Sequence, residues 1–128
     1  MSTTDTDGGE ATFPRADVTP VTVPATALES TAPEYLRDLK YELASDGLAP
    51  ARVTLAASFD EDCSFATQDE AERVREYVRA AAFLGAGRLS VTVREVACDE
   101  KAETALRACA EHARREGVQF DVDGPVAV

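Results

Sequence analysis

Arg88-Leu89-Ser90-Val91-Thr92-Val93-Arg94-Glu95-Val96 alternates apolar and polar side chains along most of its length. Successive side chains on a strand point to opposite faces, so the pattern predicts a strand covered on one face only. Strands buried on both faces, the usual state in a parallel sheet, read instead as continuous apolar runs. One face of the sheet is therefore expected to lie open to solvent or to a partner chain.

Upstream, Thr67-Gln68-Asp69-Glu70 reads as a capping box, in which the Thr hydroxyl and the Glu carboxylate satisfy free backbone N–H groups. It opens the longest helix, with Ala71, Val74, Tyr77, Val78, Ala81 and Ala82 on one face and Gly85 as its stop. Arg52-Val53-Thr54-Leu55-Ala56-Ala57-Ser58-Phe59 reads as the strand before it. A second capping box, Thr31-Ala32-Pro33-Glu34, opens a helix carrying Tyr35, Leu36, Leu39 and Leu43 that stops at Gly47. Val18 to Val23 alternates too, but Pro20 and Pro24 cannot donate to a ladder, which confines this segment to a sheet edge. Downstream, Asp99 or its neighbour caps a third helix bearing Ala102, Ala105, Leu106, Cys109 and Ala113, and Gly117 ends it. Val118-Gln119-Phe120-Asp121-Val122 is a final strand, followed by the tail Gly124 to Val128.

The order is (β)αβαβαβ, and helices of this length serve as right-handed crossovers between parallel strands. The expected fold is α/β: a small sandwich with a three- or four-stranded, mostly parallel sheet and three helices. Residues 1–17, rich in Thr, Asp and Gly, are expected to form a disordered acidic tail. Residues 18–128 are expected to form a single α/β domain.

The chain holds 24 acids against 11 arginines and two lysines, Lys40 and Lys101, for a formal charge of −11 over 128 residues. It has 23 alanines and neither isoleucine nor asparagine. An acidic, lysine-poor surface keeps a protein hydrated in concentrated salt, where screening removes much of the self-repulsion. The Ala and Arg bias suggests a GC-rich genome, and the two together point to an extreme halophile. The charge argues against nucleic acid and anionic lipid as partners. No apolar run approaches the ~20 residues of a membrane span, and the polar, acidic start is unlike a signal peptide. The expected compartment is the cytoplasm, where Cys63, Cys98 and Cys109, lacking CxxC spacing, are expected as free thiols.

Ligands of parallel α/β folds collect outside the carboxyl ends of strands. Those ends here are Asp60-Glu61-Asp62-Cys63-Ser64, Cys98-Asp99-Glu100, and Asp121 with Asp123. Asp60, Asp62 and Asp99 are candidate ligands for Mg²⁺, as in phosphoryl-transfer or receiver-like domains. The competing reading is that acids suit helix N-termini and that an acidic chain has acidic loops everywhere. Cys63 and Cys98 form either two unpaired loop thiols or, with Cα atoms within about 7 Å, a redox pair. Cys109 belongs to the core and His112 to the margin of the third helix's apolar stripe. Gly85-Ala86-Gly87 follows a helix and precedes a strand, the reverse of a phosphate-binding fingerprint. Arg73, Arg75 and Arg79 interleave with Glu70, Glu72 and Glu76 as a solvated helix face does.

The stretch Asp62 to Glu70, the run Arg75 through Gly87, and the ending from Ala105 through Glu116-Gly117-Val118 to Asp123-Gly124-Pro125 resemble a family of small haloarchaeal proteins of unknown function. That resemblance implies no activity, cofactor or site residue. The expected function is a non-enzymatic module that associates with itself or with another protein and needs no cofactor. An exposed apolar sheet face would mark such an interface. The alternative is an Mg²⁺-dependent phosphoryl-transfer or receiver-like domain built on the strand-end carboxylates.

Overall fold

Residues 18–126 are described by the computed structural model of the chain; the expected acidic tail, residues 1–17, lies outside them, as do residues 127–128. Strands and helices alternate as β1 (Thr19–Pro24), α1 (Pro33–Ser45), β2 (Leu48–Phe59), α2 (Ser64–Leu84), β3 (Arg88–Val96), α3 (Asp99–Glu116) and β4 (Gln119–Asp123). The sheet order is β1-β2-β3-β4 and every pairing is parallel. The α/β architecture read from the sequence is the one observed, with four strands.

A parallel sheet whose spatial order repeats its sequence order is wound in one direction, so right-handed crossovers place all the helices on one face. Burial follows that geometry. Val53, Leu55, Ala57 and Phe59 of β2 and Leu89, Val91 and Val93 of β3 are buried in the core with the inner faces of the helices. The residues between them point the other way, where Arg52, Ala56, Thr92 and Arg94 are exposed. Among the described residues no helix covers this second face. It is polar rather than apolar, with Thr, Ser and Arg on the central strands and Asp121 and Asp123 on β4.

The opposite layer packs tightly. Leu36 of α1, Val74, Val78 and Leu84 of α2, and Leu106 and Cys109 of α3 are fully buried. Each of the large side chains contributes on the order of 1.5–3 kcal/mol by leaving water. Cys109 is a core residue as expected: its Sγ donates to the Ala71 carbonyl at 3.6 Å, and burial pushes its thiol pKa up. Buried alanines, such as Ala71 and Ala81 of α2 and Ala102 and Ala113 of α3, keep the helix layer thin.

Neither expected capping box forms. The N-cap of α1 is Ala32, with Pro33 at the first helical positions, where a missing N–H costs nothing. The N-cap of α2 is Cys63, so Thr67 already lies inside the first turn and its hydroxyl donates back to the Cys63 carbonyl at 2.9 Å. The stops were legible: Gly47, Gly85 and Gly117 all take positive φ at helix ends. β2 begins at Leu48, four residues before the expected start at Arg52. Pro50 is accommodated next to a register shift between β1 and β2, where Ala51 is the extra residue.

β1 is the edge strand its prolines require. Thr19 donates to Gly47 on the β2 side, so the alternate residues Pro20, Thr22 and Pro24 face the free edge. Two of these three positions have no N–H to offer, which blunts this edge against further strand pairing.

Candidate functional site

β1 ends at Pro24, opposite Thr54, while β2 runs on to Phe59. Among the described residues the outer edge of β2 beyond Thr54 therefore has no strand partner, and two of its backbone groups would be orphaned. Side chains of α2 reach round the sheet to satisfy them. Glu70 Oε2 accepts the Ser58 N–H at 2.9 Å, and Arg73 Nη1 donates to the Ala56 carbonyl at 3.2 Å. The two side chains pair with each other at 3.1 Å, and the Arg73 guanidinium lies 5.8 Å from the Tyr77 ring centroid. Glu70, Arg73 and Tyr77 are spaced i, i+3, i+7, one face of a helix.

The vacated edge is also the wall of a cleft of about 360 Å³. Pro24 to Thr26 form one side as the chain leaves β1 through a short 3-10 turn, Ala25–Ala27. Thr54, Thr92 and Arg94 supply the floor from the open sheet face, and Arg73 with Tyr77 closes it from the helix side. Among the described residues no lining side chain is acidic. In a chain of formal charge −11, this cleft gathers two guanidinium groups and four hydroxyls, three from threonines and one from Tyr77. Arg94 makes no ion pair among the described residues.

The strand-end carboxylates lie elsewhere. Asp60 and Asp62 follow β2 in an exposed loop, and Asp99 is the first residue of α3. Asp62 Oδ1 accepts from Lys101 Nζ at 2.7 Å, a bond that holds the ammonium pKa above its ordinary value. A cation thus already stands beside one of the three candidates. Among the described residues no group of three His, Cys, Asp or Glu side chains is placed to hold a metal ion. Cys63 and Cys98, the N-cap residues of α2 and α3, are free thiols.

His112 sits at the margin of the α3 stripe, as expected, with its side chain 17% exposed. Burial lowers its pKa; Glu116, 3.9 Å from Nε2, opposes that shift, and Arg79, Arg115 and Arg75 reinforce it. The imidazole is therefore neutral in the fold at a pH where the unfolded chain's histidine already binds a proton. Stability attached to this residue is present above the ordinary value of 6.5 and declines as pH falls through it toward the folded value. Chemical denaturation across that interval should show a smaller acid loss for His112→Gln than for the parent. Parallel pH profiles would remove the assignment.

The solvated-face reading of α2 holds fully for neither arginine: Arg75 pairs with Glu72 at 3.4 Å but its Nε is buried without a hydrogen-bond partner among the described residues, and Arg73 reaches the sheet edge. Arg73 bonds to Glu70 and to the β2 backbone instead of to its i−4 neighbour Asp69. The available signal was length: a strand stopped by Pro24 beside a strand of twelve residues must leave an edge for something else to cap.

Residues 17–122 match a family described as a domain of unknown function, DUF8564. The chain belongs to the DUF8564 family. No curated protein matches the chain. Among solved structures, the DUF8564 chain is similar to the crystal structure of IOLI protein with a binding zinc atom, at TM-score 0.56 and 14% identity. The likeness covers 82% of this chain and 41% of that one, so the DUF8564 chain spans less than half of its structural neighbour. At this identity the likeness is one of fold. The zinc belongs to that protein, and the described residues of the DUF8564 chain offer no matching cluster.

Proposed function

We propose that this chain is a non-enzymatic association module that engages a second copy of itself through the uncovered face of its sheet. The observation that carries the reading is the charge of that face. The chain as a whole is at −11, so two copies repel each other over most of their surface. The open face carries Arg52, Arg88 and Arg94 on the central strands against Asp121 and Asp123 on β4, a formal balance of +1. It is the surface on which two copies meet without repulsion, and its division into a basic centre and an acidic border is self-complementary. Arg88 and Asp121 are already paired at 2.7 Å, which leaves Arg52, Arg94 and Asp123 for a partner. Pro20 and Pro24 oppose association through the β1 edge and favour the face instead.

In concentrated salt the Debye length shrinks to a few Å, so direct arginine–carboxylate contacts count and long-range repulsion does not. Light scattering on the full chain across a concentration series in multimolar KCl is expected to show a dimer. Arg52→Glu should weaken that dimer about tenfold or more by placing like charges across the interface. A strict monomer at every concentration, or an Arg52→Glu protein that dimerises like its parent, would sink the reading.

A further inference from the structure

We infer that the cleft at the vacated edge of β2 is a binding site for a phosphate-class dianion, held between Arg73 and Arg94. The site is complete within one chain, but its floor of Thr54, Thr92 and Arg94 belongs to the open face proposed above for self-association, so an anion and a second copy compete for Arg94.

Arg73 is held in place before any ligand arrives. Arg73 Nη1 is committed to Glu70 and to the Ala56 carbonyl, and Tyr77 flanks the guanidinium. These contacts fix the plane of the group and leave Nε and Nη2 without a hydrogen-bond partner among the described residues. A flexible arginine loses rotamer freedom on binding; the contacts through Nη1 restrain this one beforehand, although its side chain is 45% exposed. The donors also approach from two directions. Arg73 enters from the helix side of the vacated edge and Arg94 rises from the open face of β3, so a ligand in the cleft meets guanidinium groups from two walls. Thr26, Thr54 and Thr92 add hydroxyls.

A carboxylate has two oxygens in one plane and is satisfied by a single fork. Two forks on different walls with additional hydroxyl donors fit the three terminal oxygens of a tetrahedral phosphate. Charge points the same way. Glu70 offsets one arginine, and the other remains uncompensated in a cleft without an acidic lining residue. A volume of about 360 Å³ holds more than a bare ion, and the Ala25 and Leu55 side of the lining is apolar. The same chemistry therefore serves inorganic phosphate or the phosphate of a small organic monoester.

Two-dimensional amide NMR on the full chain in multimolar KCl, titrated separately with inorganic phosphate and with phenyl phosphate, tests the site. Saturable shifts centred on Thr26, Thr54 and Thr92 are expected with both probes. Tighter binding of phenyl phosphate assigns an organic monoester, and equal midpoints assign the free ion. Arg94→Gln should raise the midpoint about tenfold, since hydrogen bonds to charged groups are each worth that much or more. Arg94→Lys, which keeps the charge but loses the fork, should fall between. Arg107→Gln, on the outer side of α3, should change nothing. Linear, non-saturating shifts, shifts spread evenly over the arginine-bearing elements, or an Arg94→Gln titration identical to the parent would overturn the inference. Because Arg94 also belongs to the face proposed for self-association, light scattering accompanies every titration, and each variant is compared with its parent at a concentration where both are monomeric, which separates failure of the anion site from failure of the dimer.

Discussion

Leu89→Ala is expected to lower the unfolding free energy by about 3 kcal/mol, within the range of roughly 2–5 for deleting a buried leucine side chain. Leu89 lies on an inner strand, fully buried, with Val53 beside it on β2 and Phe120 on β4. Two features put it toward the expensive part of that range. The β3 backbone is bonded on both sides, so it cannot slide inward to fill the space. The helix layer above is lined with alanines, which have no longer rotamer to swing into a cavity. Guanidinium unfolding at fixed high salt should report the loss as a lower midpoint with an unchanged slope. Leu39→Ala, on the partly buried margin of α1, provides the contrast and should cost distinctly less. Equal losses at the two positions would mean that the core is not organised around β3.

The second large effect is expected at Gly124. This residue has φ of +138°, and a Cβ placed on it would lie 2.5 Å from the Val93 carbonyl oxygen, with the Val93 Cβ at 3.2 Å. An L side chain there meets both backbone strain and a backbone collision, and strain of this class costs on the order of 1–3 kcal/mol. The chain has an escape, because β4 ends at Asp123 and the segment from Gly124 onward lies outside the sheet. Beyond it Val126 is buried at the α3–β4 margin, a contact worth roughly 1.5–3 kcal/mol if fully lost. Gly124→Ala should therefore release the tail, and its cost should approach that of truncating the chain after Asp123. A stability loss well above the truncation value would show that the collision is relayed into β3 instead.

Much of the fold was legible because it depends on local periodicity. The alternation of Arg88 to Val96 located β3 with its observed ends, and Gly47, Gly85 and Gly117 marked the helix stops through the backbone conformation that only glycine adopts cheaply. The open face followed from the same alternation, but its character did not. Thr54, Ser90 and Arg94 become one polar surface only when the register of β2 and β3 is known. The starts of α1 and α2 differ from the expected ones, while Cys98, the neighbour of Asp99, caps α3 as expected; a Thr-x-x-Glu pattern has more than one use for its carboxylate. Glu70 is taken by the Ser58 N–H, twelve residues away, rather than by its own helix. The cleft was invisible for a related reason. Glu70 and Arg73 have the same i, i+3 spacing whether they face water or wrap a strand edge, and the deciding fact is how far β1 falls short of β2. The acidic loops stood out as letters, yet the pairing of Asp62 with Lys101 spans 39 residues and no local pattern announces it.

The sheet order has a bearing on how the chain is made. Since β1, β2, β3 and β4 lie in space as they follow in sequence, each strand leaving the ribosome finds its partner already in place, and no slot has to be held open for a later segment. Parallel pairing normally slows folding because distant pieces must wait for one another. Here the longest wait is a single crossover helix. The nascent chain can grow by adding one strand and one helix at a time to a finished border, with β1 and its prolines as the fixed starting margin. Synthesis and assembly run in the same direction.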